Sequence, residues 1–314
     1  MTVAAALLLY AVAVLAGGPK LLLRITGGGE APRLSIAAWL TAVVTVIGSS
    51  VGAIALLLIE VAGHWGKPDG LLVSCLARLR EILDGHAGWP ARIVATVAVA
   101  MAAGTLIAIC VRVGCALSRM RTKTFEHAAA VRLVGRSVGS YVVVIEASEP
   151  AAYCVAGRPP AIVITTAALA ALDNAPLAAV IAHERAHLDG RHAYIVAAMR
   201  GLTAALPKVA LFSSAAAQIS SLLEMCADDA AARHHGHQPL LAGLLALSGA
   251  ITPAHGLAAA TTAVLVRAER LSDPQYGLAR IQTRVTLSGA VAAMAATPLA
   301  IVALSLSGVL ICFA

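Results

Sequence analysis

Residues 180–192 read VIAHERAHLDGRH, and this stretch decides how the rest of the chain is understood. His183 and His187 stand four positions apart, so a helix presents both imidazoles on one face. Glu184 sits beside the first of them. This is the HExxH spacing, in which two histidines hold a zinc ion and a carboxylate is set against the water that the ion activates. Zinc lowers the pKa of that water to about 7 and polarises a scissile carbonyl. The neighbouring Glu then carries the proton to the leaving amine. Val180, Ile181 and Ala182 make the segment apolar just before the motif, which predicts a buried helix over Leu177–His187. Asp173 or Asn174 would cap it, with Pro176 near the first turn. Two histidines and a glutamate on a buried helix need partners or a metal. Arg185 departs from the general pattern, which prefers an uncharged residue there.

Two histidines do not complete a zinc site. Gly190 and His192 approach the longer pattern HExxHxxGxxH, but that pattern requires histidine where Ala193 stands. His192 is therefore placed beside the site, as a candidate for contact with substrate or oxyanion. The third ligand is sought downstream, at Glu224–Asp228 (EMCAD). Glu224 would bind the metal, and Asp228, one turn later on the same face, would accept the N–H of a ligand histidine. Leu222, Leu223, Met225 and Ala227 are apolar, which argues against a solvated acidic face. Cys226 points off the Glu224 face. His234, His235 and His237 read as a polar helix end stopped by Gly236 rather than as a second metal site.

Outward from the motif, the chain is that of a membrane protein. It is 60% hydrophobic and only 12% charged, with a mean hydropathy of +0.86. Soluble domains run at about 45–50% apolar and about 25% charged. Uncharged runs at Thr2–Pro19, Leu34–Ile59, Ile93–Val111 and Val285–Ala314 are each near or above the length of a spanning helix, about 20 residues. About four transmembrane helices are expected. The first run lacks the basic start of a signal peptide and would extend to Leu21–Leu23 if Lys20 snorkels.

The net charge of +7 is read as the positive-inside bias, and no direct nucleic-acid binding is expected. Lys20, Arg24 and Arg33 follow the first run, and Arg112, Arg119, Arg121 and Lys123 follow the third. Both loops are expected in the cytoplasm and both termini outside. Lys67, Arg78, Arg80 and Arg92, between runs two and three, point the other way, but the cluster after run three is denser and nearer its helix. The expected division is 1–117 for three membrane helices, 118–284 for a cytoplasmic metal domain and 285–314 for a last membrane helix. Within the domain, Tyr141–Glu146 reads as a strand, and Tyr153–Val155 with Ala161–Thr165 as a hairpin or turn-linked strands. Tyr194–Leu223 reads as a buried helical pair or a membrane-dipping segment, and Ser221–His234 as a further helix. Six cysteines without a CxxC pair make a disulfide framework unexpected.

HERAHLDGRH followed by ExxAD resembles the gluzincin membrane peptidases, which include the HtpX and CAAX-prenyl-protease group and the BlaR/MecR antibiotic-response group. The second is the nearer likeness, with three helices, a cytoplasmic zinc domain and then a fourth helix. The interval between His187 and Glu224 leaves little room for two spans, which speaks against HtpX. The resemblance implies an α+β zincin-like (gluzincin) domain in an α-helical integral membrane protein, with one Zn2+ per chain. AYCVAGRPPAIVITTAAL is similar to that family's substrate-binding edge strand. Arg267 and Arg270, in RAERLSDPQ, resemble a family stretch after the active site, and both are candidates for binding substrate backbone or oxyanion, Arg270 foremost. A solvated basic helix end is the competing reading. The implied activity is a zinc metalloendopeptidase that cleaves a regulatory protein, such as a BlaI-like winged-helix repressor. This chain would lack the family's penicillin-binding sensor. The alternatives are an HtpX-like quality-control protease of membrane proteins and a catalytically silent membrane sensor or scaffold, against which the intact His183, Glu184, His187 and Glu224 argue.

Overall fold

A computed structural model describes residues 2–63, 88–139, 141–248, 257–273 and 278–306. Lys67, Cys75, Arg78, Arg80, Cys312 and the end of the fourth apolar run lie outside them. Long apolar helices frame the chain: α1 (Thr2–Thr26), α2 (Pro32–Gly63), α3 (Gly88–Val134) and, at the end, α10 (Leu278–Leu306). Between them come β1 (Arg136–Val138), β2 (Val142–Ile145), β3 (Ala152–Val155) and β4 (Ala161–Thr165). These are followed by α4 (Thr166–Ala171), α5 (Asn174–Asp189), α6 (His192–Ala205), α7 (Ala210–His235), α8 (His237–Ser248) and α9 (Leu257–Ser272).

Among the described residues, five helices are long and apolar enough to cross a bilayer, one more than the four runs predicted. The addition is α7, and half of its most apolar window is buried inside the protein itself. Its apolar side joins a core with the first two helices, in which Leu211, Ile219 and Leu222 pack with Leu22, Trp39 and Ala42. Trp39 Nε1 donates to Thr26 Oγ1 at 3.2 Å inside that core. The sequence division into Tyr194–Leu223 and Ser221–His234 is corrected here. The chain breaks at Leu206–Pro207, and α7 then runs unbroken through both segments. Ala and Ser dominate 210–221, so hydrophobic period alone does not show where the helix begins. The third apolar run is likewise the first part of a 47-residue helix that continues to Val134.

The four strands form one sheet in the order β1-β2-β4-β3. β4 is buried at all five residues, as its run of Ile and Val in a central strand requires. It pairs parallel to β2 and antiparallel to β3, with Cys154 opposite Ile162. β1 had no signal in the sequence, because its three residues are all exposed and carry no alternation. Thr165 caps α4 by accepting from the Ala168 N–H at 3.1 Å. β3 is an edge strand that lies against α5. The groove wall opposite comes from α3, which crosses α6 closely at Gly201. A Cβ there would stand 2.9 Å from Val113 Cα and 3.0 Å from Ala116 Cβ.

Candidate metal centre

α5 carries the HExxH residues and α7 carries the acidic pair, and the two helices pack side by side. Asp173 is the N-cap of α5, without a side-chain capping bond, and the helix ends at Gly190. Arg191 then takes a left-handed conformation, with φ 51°, and the chain turns into α6 so that His192 folds back over Gly190. A Cβ at Gly190 would lie 2.3 Å from His192 Nε2, so only glycine leaves the ring in this place.

His183 Nε2 and His187 Nε2 face each other at 3.1 Å. Glu224 completes a triangle, with Oε2 3.5 Å from His183 Nε2 and Oε1 3.5 Å from His187 Nε2. One donor atom from each of the three falls within 4.8 Å of the others, the only such group of three among the described residues. Ligands about 2.0–2.1 Å from a tetrahedral zinc stand about 3.3–3.5 Å from one another. The spacing therefore fits a metal of that size. Two imidazole nitrogens aimed at one point also need a proton or a cation between them.

The outer nitrogens each have a polar neighbour as well. His183, which is buried, places Nδ1 3.0 Å from Asp228 Oδ1, and the Asp228 side chain is 1% exposed. His192 Nδ1 lies 2.8 Å from His187 Nδ1. Each histidine thus turns its Nε2 lone pair toward the centre when its Nδ1 carries the proton. Burial opposes charge on His183, yet the Asp228 and Glu224 carboxylates outweigh it and hold the pKa up at about 9. The field that favours a proton at this position also favours a divalent cation. Burial, reinforced by His187, lowers His192 to about 4, so the ring is neutral and able to accept the His187 N–H.

Glu184 points into the same groove without belonging to the ligand triangle. Burial raises its pKa, against the pull of His183 and His187. Cys154 of β3 is its neighbour. Burial first, and then the charge of Glu184, pushes that thiol up to about 12, so it remains protonated and can donate to the carboxylate. The sequence offered no sign of this pairing.

Arg270, the sequence candidate for substrate or oxyanion, is engaged elsewhere. Its guanidinium bonds Gly29 O at 3.1 Å and Asp229 Oδ1 at 2.8 Å. The arginine at the centre is Arg267, three residues earlier on α9. It grips Asp228 with two bonds, Nε to Oδ2 at 2.8 Å and Nη2 to Oδ1 at 2.7 Å. Its Nη1 lies 3.0 Å from Glu224 Oε2. Three residues move a side chain about 4.5 Å along the axis, enough to carry Arg270 past the centre to the α1–α2 connection. Cys226 is buried on another side of α7 and takes no part.

The centre opens into a groove of about 850 Å³, bounded by β3, α3, α6 and α7. No curated protein and no solved structure matches this chain. The model of one family does match, over residues 118–295, more than half of the chain, and it takes in the whole ligand triangle, Asp228 and Arg267. The chain belongs to peptidase family M48, whose members are zinc metallopeptidases.

Proposed function

We propose that this protein is a membrane-anchored zinc endopeptidase that makes regulatory cuts in a cytoplasmic protein, such as a BlaI-like winged-helix repressor. The observation that carries the peptidase reading is the triangle of His183, His187 and Glu224 with Glu184 beside it in an open groove. Zinc, when bound, supplies a Lewis acid that activates water and polarises the scissile carbonyl. Asp228 and His192 fix the two imidazoles from behind. Glu184 takes the proton of the attacking water and delivers it to the leaving nitrogen. β3 is an edge strand among the described residues, and an extended peptide adds along such an edge as a further strand. Glu224 is 41% exposed toward that groove, so substrate reaches the centre directly.

The regulatory reading is supported by the layout it shares with the BlaR/MecR group. α6, at 14 residues, is too short to span, so at most one span fits between His187 and Glu224. We read α7 as an internal helix, because it carries Glu224 and Asp228 and is packed within the protein. That leaves four spans in the lipid bilayer, with the metal domain in the cytoplasm and both termini outside. A single cysteine introduced at Asp189 in a background without the native cysteines should resist membrane-impermeant thiol reagents applied to intact cells; ready labelling would reverse the orientation. The function itself is tested by comparing the proteomes of cells carrying wild-type protein and Glu184→Gln. An uncut soluble regulator should accumulate in the mutant. Accumulation of damaged membrane proteins instead would favour quality control, and no change at all would favour a silent scaffold.

A further inference from the structure

The groove beside the metal centre has an electrostatic character that catalysis does not use. α3 faces it with Ala116, Arg119, Met120, Lys123, Thr124 and His127. These positions follow the i, i+3, i+4, i+7 spacing of one helical face. Arg119, Lys123 and His127 therefore rise in line, one per turn, and Arg200 of α6 lines the same groove. The acids that line it are Glu184 and Glu224, both committed to the centre. Arg119, Lys123 and Arg200 are exposed and make no ion pair with a described residue. Arg267 at the centre and Arg270 beyond it differ, since both are paired.

Positive-inside bias accounts for basic residues after a span, but not for which face they take. Arg112, in the same cluster, turns away to donate to Ala204 O at 2.8 Å, and Arg121 lies outside the groove lining. Arg119 and Lys123 point into it, on the wall facing the free edge of β3. His127 closes one end, its ring stacked on Tyr153 at 5.8 Å. Cations four residues apart on a helix are separated by about 6 Å of rise. Alternate side chains of an extended peptide recur at about 6.6–6.8 Å, so two successive outward-facing side chains of such a peptide suit two cations of the stripe.

We infer that the groove selects protein segments carrying acidic side chains at alternate positions beside the scissile bond, held by Arg119, Lys123 and Arg200. This rests on the peptidase reading and names its substrate class. Like charges on a basic segment would be repelled from the same wall, so the stripe both attracts and excludes.

The test uses the full chain, zinc-loaded, in detergent micelles or nanodiscs, with three fluorogenic peptides that differ only in Glu-x-Glu, Gln-x-Gln or Lys-x-Lys beside the cut. Binding of the same peptides to Glu184→Gln protein is read by fluorescence anisotropy, so that charge preference is measured even where turnover is slow. The Glu peptide should exceed the Gln peptide by roughly tenfold in kcat/KM, carried mainly by KM, as a few exposed ion pairs would give. The margin should shrink with added salt. Arg119→Glu with Lys123→Glu should reverse the order toward the Lys peptide, whereas Arg121→Glu on the same helix should leave it as it is. Equal cleavage and equal binding of all three peptides overturn the acidic preference while leaving the peptidase standing. Charge-dependent binding without cleavage by wild-type enzyme overturns the peptidase reading and keeps the groove's preference. An unreversed order in the double variant overturns the assignment to α3.

Discussion

Glu184→Gln is expected to abolish peptide cleavage while the protein keeps its zinc, and His187→Ala is expected to lose both. The two residues sit three positions apart on α5, yet they face the chemistry differently. Glu184 is rotated about 100° from His183 on the helix and stands outside the triangle that His183, His187 and Glu224 form. An amide at 184 preserves the shape and removes the proton acceptor. A general base is worth roughly 10²–10⁴-fold in rate, enough to take slow regulatory cleavage below detection. His187 holds a corner of the triangle, 3.1 Å from His183 and 3.5 Å from Glu224, and an alanine there leaves two protein ligands where a catalytic zinc has three. Metal content by mass spectrometry and turnover of a cleaved substrate, measured on both variants, separate the roles. Near-normal turnover by Glu184→Gln would mean that the motif holds a structural metal, and full zinc occupancy in His187→Ala would mean that the metal sits elsewhere.

How much of this was legible in the sequence follows from how far apart the interacting residues are. The His183–His187 pair is a local property, because four residues of helix place both rings on one side whatever surrounds them. Glu224 and Asp228 are joined by the same rule, and their apolar neighbours signalled burial. The strands β2, β3 and β4 showed through their β-branched residues and the Gly157–Pro160 break. What stayed hidden depends on docking. Arg267 and Arg270 are near neighbours on one helix, and only the seating of α9 against α7 decides which reaches Asp228. Cys154 meets Glu184 because β3 pairs with β4 in a register that puts residue 154 opposite Ile162, and no spacing within the chain announces it. The length of α7 was obscured for a related reason. Its first turns are mostly Ala and Ser, which fit closely against α1 and α2 and display no clear helical stripe.

Asp228→Ala should weaken zinc binding by roughly 10–100-fold, the usual cost of losing the group that orients a ligand histidine, and should also destabilise the fold. Asp228 is 1% exposed and serves two partners, His183 Nδ1 at 3.0 Å and the guanidinium of Arg267 through two bonds. Without the carboxylate, His183 is free to turn or to carry its proton on Nε2, where the metal needs a lone pair. Arg267 is left with Glu224 alone, 3.0 Å from Nη1, so its whole charge bears on a metal ligand and competes with the ion. Breaking a buried pair by removing one partner costs about 3–5 kcal/mol, and the 14% exposure of Arg267 puts this pair toward the lower end. Adding Arg267→Met to the same chain removes the stranded cation. The double variant should recover much of the lost stability, since neither charge then remains unpaired, but it should not recover zinc affinity, because His183 still lacks its acceptor. Thermal unfolding and competitive zinc titration on the single and double variants read these two effects separately. If Asp228→Ala binds zinc as tightly as the wild type, the aspartate does not orient His183, and the Asp228–Arg267 pair is only a clamp between α7 and α9.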